Sequence, residues 1–124
     1  LVGWGEGGML ALRAAALDPR VDTVLSSGYF GPREDMWREP LERNLFGFLN
    51  SFGDAELAAM IAPHGLLVEA AKGPEVVIAA PGAAPGKLTT PALAEVRREF
   101  NRASKLASKV QPKAKLELFV SVDA

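Results

Sequence analysis

Six residues constrain this fold more than any others. Gly3-Trp4-Gly5-Glu6-Gly7-Gly8 lies between Leu1-Val2, which reads as the end of a buried strand, and Met9–Leu17, a run of strong helix formers. A strand that enters a helix through a glycine turn is the start of an α/β unit. Asp18-Pro19 ends the helix, because the residue before proline is pushed out of the α region. Val21–Ser27 is short and β-branched and stops at Gly28, so it reads as the next strand.

The same alternation continues downstream. Tyr29–Asn50 interleaves aromatics with charges and is expected to be a loop followed by a helix from about Pro40. Asp54 is placed to cap a short helix, Ala55–Ile61, that stops before Pro63. Leu66-Leu67-Val68 forms the centre of another strand, and Val76-Val77-Ile78 a further short one within an aperiodic stretch that runs to Thr90. Thr90 is expected to cap the best-defined helix, with Pro91 at its first position. Leu93, Val96, Phe100, Ala103 and Ala107 form its apolar stripe, and Glu95, Arg97, Arg98, Glu99, Arg102 and Lys105 its solvated face. Leu116–Val122 reads as the last strand.

Strands alternating with helices imply parallel pairing through right-handed crossovers. Four such strands laid side by side in chain order put every crossover helix on one face of the sheet. Parallel sheets are ordinarily covered on both faces. Residues 1–124 are therefore expected to be the C-terminal-half portion of one larger α/β domain, with the remainder of that domain as its structural partner.

Composition removes several functions. Fourteen Lys and Arg stand against fifteen Asp and Glu, so the basic footprint of a nucleic-acid binder is missing. No apolar run approaches the ~20 residues that span a bilayer. There is no Cys, which excludes disulfides, thiolate metal sites and cysteine nucleophiles, and the single His, His64, excludes a multi-imidazole metal site. No metal or cofactor is expected, and nothing in the chain indicates a compartment.

The glycine turn fits two templates. Gly3, Gly5 and Gly8 match the G-x-G-x-x-G dinucleotide fingerprint, which also requires an acid at the C-terminal end of the next strand. That strand ends in Ser26-Ser27, and Asp22 lies at its other end. Gly3, Gly5 and Gly7 match G-x-S-x-G, the nucleophile elbow, with Gly5 in the serine position. Small neighbours at Gly3, Gly7 and Gly8 would suit its sharp turn.

With the segments Ala14–Val21, Val24–Gly28 and Ile61–Glu69, the elbow resembles the α/β-hydrolase superfamily, especially acetyl xylan esterases, dienelactone hydrolases and prolyl-oligopeptidase-like enzymes. The resemblance covers Leu1 to Glu69. It implies a partial α/β-hydrolase-like parallel sheet with crossover helices, and a carboxylic ester or acyl substrate. It also implies that Gly5 stands where the nucleophile would be and that Glu69 occupies the triad-acid location, with Glu75 as the second choice. The family's histidine follows the last strand, so this stretch alone lacks the complete set for acyl transfer. The alternatives are a Rossmann-type dinucleotide- or phosphate-binding segment and a non-catalytic binding domain.

Glu6 and Gly7 form the turn beside the oxyanion position, and Glu6 is either a substitute nucleophile or a structural carboxylate. Trp4, Tyr29 and Arg33 follow strand C-terminal ends, where open α/β sheets bind substrate, and are candidate binding residues. His64 precedes its strand, at the opposite end, and is expected to be structural.

Overall fold

The computed structural model describes residues 1–79 and 84–121. Four strands, β1 (Val2–Trp4), β2 (Thr23–Ser27), β3 (Gly65–Ala70) and β6 (Lys115–Val120), pair in parallel in that order. Three helices cross between them: α1 (Glu6–Leu17), α2 (Asp54–Ile61) and α3 (Leu93–Val110). One apolar cluster contains Leu12 of α1, Ile61 of α2 and Val96 and Ala103 of α3, together with Val24, Leu66 and Val68 of the sheet. All three helices therefore cover the same face.

Strand periodicity explains why that face is the core. Leu66, Val68 and Ala70 are buried at every second position of β3, while Gly65, Leu67 and Glu69 between them point to the other side and are only half-buried. On that second side Val2, Leu25 and Leu67 lie in register across three strands, and Val2 is 80% exposed. This apolar strip is not covered by any described helix.

Several expectations need correction. The segment after β2 forms no helix from Pro40 but three short 3-10 turns, Met36–Arg38, Leu41–Arg43 and Phe48–Asn50. The Asn44 amide donates to the carbonyls of Glu39 and Pro40, taking acceptors that a helix would use, and Gly47 turns left-handed at φ 73°. Gly53, not Asp54, caps α2, and Ala92, not Thr90, caps α3. Glu99, expected on the solvated face of α3, is buried and accepts the Ala55 N–H at 3.0 Å, satisfying a free amide at the start of α2.

Within the aperiodic stretch, β4 (Val76–Ile78) pairs antiparallel with β5 (Gly86–Leu88). The last strand runs from Lys115 to Val120, so Ser121 lies beyond its end, and Val122, the last residue of its expected span, lies outside the described residues.

Candidate functional site

The turn between β1 and α1 has one unusual backbone position. Gly5 adopts φ 55° and ψ −116°, a combination that strains any residue with a side chain. Its N–H donates to the Ser27 carbonyl at 2.9 Å and its carbonyl accepts the Met9 N–H at 3.1 Å, so it joins the sheet to the first turn of α1. The reversal is tight because strand and helix touch. A Cβ built on Gly3 would lie 2.0 Å from the Gly7 carbonyl oxygen, and one on Gly8 would meet Gly3, Ser26 and Ser27 atoms at 3.1 Å. Gly7 differs from the sequence expectation: a Cβ there meets nothing within 4 Å, so its smallness is not what the turn requires.

Glu6, the residue after Gly5, is held by Arg43. The guanidinium donates to the Glu6 carboxylate from Nε at 2.8 Å and lies 2.7 Å from it through Nη2. Arg43 is itself buried and pairs with Glu39 at 3.2 Å; Glu39 pairs with Arg33 at 3.1 Å, and Arg33 with Asp54 at 3.3 Å. A chain of alternating charges thus runs from the β1–α1 turn to the start of α2. Both arginines approach the Tyr29 ring, the guanidinium carbon of Arg33 at 4.6 Å from its centroid and that of Arg43 at 5.6 Å.

Asp54 anchors the far end of this chain. Fully buried, it accepts the Gly31 N–H at 3.1 Å and the Tyr29 hydroxyl at 3.4 Å. Burial pushes its carboxyl up to about 6, against the opposing pull of Arg33 and the Gly31 amide. The Tyr29 phenol is also pushed up, by burial and then by the Asp54 charge. Tyr29 and Arg33, expected to face a substrate, are 3% and 6% exposed, and Arg33 spends its remaining donors on the carbonyls of Gly31 and Tyr29. In this conformation both side chains belong to the packed, hydrogen-bonded interior.

On the uncovered face, Trp4, Ser27, Glu69 and Phe119 lie in one register row across the sheet. Trp4 and Glu69 are two strands apart, about 10 Å at the backbone. The Ser121 hydroxyl donates to the Glu69 carboxylate and, with Ser27, holds that carboxyl below its usual range. Glu75 lies instead in the following loop, exposed, and accepts the Thr90 N–H at 3.4 Å. His64 precedes β3, at the end of the strand away from Glu69.

The loop 71–75 closes over the turn. The Trp4 indole N–H donates to the Lys72 carbonyl at 2.9 Å, and the Thr90 hydroxyl accepts the Gly73 N–H at 3.1 Å. A Cβ on Gly5 would lie 2.6 Å from Pro74 Cδ and 2.8 Å from its Cγ. Pro74 and Arg43 escape sequence reasoning. A Gly-Pro step in an aperiodic stretch carries no periodic signal, and Arg43 is one of several charges in its segment.

No protein-family model matches the sequence, and no curated protein matches it. Two solved structures, both of glucuronoyl esterase from Solibacter usitatus, share the fold, with TM-scores of 0.52 and sequence identities of 15% and 14%. Each alignment covers 98% of this chain but 37% or 36% of the esterase chain, so the chain spans a little over a third of that protein's length.

Proposed function

We propose that this chain is the elbow-to-last-strand part of an α/β-hydrolase-like domain of the carboxylic ester or acyl hydrolase class, in which the nucleophile has been lost. The likeness of its parallel sheet and crossover helices to an esterase supports the class. The observation that carries the reading is the backbone of Gly5. A nucleophile elbow presents its central residue on a strained strand-to-helix turn, and φ 55° and ψ −116° occur here at the residue standing where serine would.

Serine acyl transfer needs a side-chain oxygen to attack the carbonyl and backbone N–H groups to hold the resulting oxyanion. Residue 5 offers only backbone. The Glu6 N–H, at the first position of α1, remains available as one such donor. The Glu6 carboxylate is tied to Arg43, which supports a structural role in place of a nucleophilic one. Glu69, aligned with Trp4 and oriented by two hydroxyls, is the candidate acid of the ancestral arrangement. The uncovered strip of Val2, Leu25 and Leu67 supports a larger domain, because a second layer of the same polypeptide would bury it.

The test is hydrolysis of a small activated aryl ester by the wild type beside Glu6→Gln. Neither protein is expected to exceed the buffer rate. Turnover by the wild type that disappears in Glu6→Gln would overturn this reading by making Glu6 the nucleophile. Wild-type turnover that survives the substitution would overturn it by requiring a different one.

A further inference from the structure

The loop 71–75 is secured at each of its last four residues. Trp4 holds Lys72, Thr90 bonds Gly73 through its hydroxyl, Pro74 rests on Gly5, and Glu75 accepts the Thr90 N–H. Two further contacts allow this approach. A Cβ on Gly73 would lie 2.3 Å from the Gly28 carbonyl oxygen, and one on Gly28 would lie 3.0 Å from the Gly73 Cα and 3.2 Å from the Trp4 indole nitrogen. Gly28 also has φ 62°, so its backbone shape and its closeness to the loop both favour glycine.

We propose that segment 71–75 is a strap that closes the elbow, latched by Trp4 and Thr90, and that the bare backbone of Gly5 is the seat for the Pro74 ring. Opening the strap controls access to the start of α1. The volume that a side chain at position 5 would take is filled by protein, and the rigid Pro74 ring cannot yield it by rotating a bond. A side chain at position 5 and the closed strap therefore exclude one another. This holds whether or not residue 5 once carried a nucleophile, so ester hydrolysis by the wild type would overturn the functional reading and leave the strap to be tested separately.

The test is a double-mutant cycle in thermal unfolding with Gly5→Ser, Pro74→Gly and the double variant. Gly5→Ser is expected to lower the midpoint by about 5 °C or more in the wild-type background and by clearly less in the Pro74→Gly background. Equal losses in both backgrounds would overturn the proposal, since backbone strain at residue 5 is common to both. A second readout leaves Gly5 unchanged. Trypsin cleavage after Lys72, followed by mass spectrometry, is expected to be slow in the wild type and about tenfold faster in Thr90→Val, which removes the hydroxyl latch. Equal cleavage rates would overturn the latch and the strap with it.

Discussion

Gly3→Ala is expected to abolish folding or to cost more than about 4 kcal/mol, whereas Gly7→Ala is expected to remain within about 1 kcal/mol of the wild type with a stabilising sign. The two glycines flank the same turn and would be treated alike in a motif. Their surroundings differ. The added Cβ at Gly3 would sit 2.0 Å from one backbone atom of Gly7 and 2.1 Å from another, and neither can move without separating β1 from α1. The added Cβ at Gly7 enters open space, and alanine lowers the entropy lost on forming the first turn of the helix. Chemical denaturation of both variants gives the comparison. Equal effects would mean that the strand and helix do not approach this closely.

Arg33→Met is expected to destabilise the fold by about 3 to 5 kcal/mol, because removing one member of a buried charge network leaves its partners uncompensated. The partners here are Asp54, which is fully buried, and Glu39. The loss carries a pH signature. Arg33 is what pulls the Asp54 carboxyl down against burial, so without it that carboxyl rises above its present value of about 6. A folded-state carboxyl raised above its unfolded value contributes stability at low pH that is lost as pH rises through the folded value. Denaturation midpoints of Arg33→Met should therefore fall further below the wild type near neutral pH than at about pH 5. A pH-independent difference would show that Arg33 contributes packing and not charge.

Local sequence carries much of the frame and little of the network. The strand, glycine turn and helix at the start were readable because glycine, β-branched residues and alanine act within a few positions of one another. The stripe Leu93, Val96, Phe100, Ala103 and Ala107 was readable because helical spacing places it on one face, and its Val96, Ala103 and Ala107 are buried. Arg33, Arg43 and Glu99 were not. A charged side chain becomes a core group only when a partner arrives from elsewhere in the chain, as Glu6 does for Arg43 and the α2 amide does for Glu99. The same holds at the candidate site. Position 5 was legible as the centre of a tight glycine turn, but the Pro74 ring against it is a contact across nearly seventy residues. The helix expected from Pro40 failed for a local reason, the Asn44 amide competing for backbone carbonyls.

On the proposed reading, residue 5 sits where a hydrolase presents its nucleophile, at the start of α1, under Pro74. The chain has no cysteine, so Gly5→Cys made together with Pro74→Gly places a single thiol at that point. Its alkylation rate, followed against pH beside the surface control Ala14→Cys, tests the claim directly. A thiol at a helix N-terminus whose neighbouring Glu6 is neutralised by Arg43 should ionise below the ordinary ~8.5, and below the control, while reacting readily. A residue 5 thiol that ionises with the control or above it, or that is inaccessible with Pro74 removed, would contradict the assignment of residue 5 as the elbow.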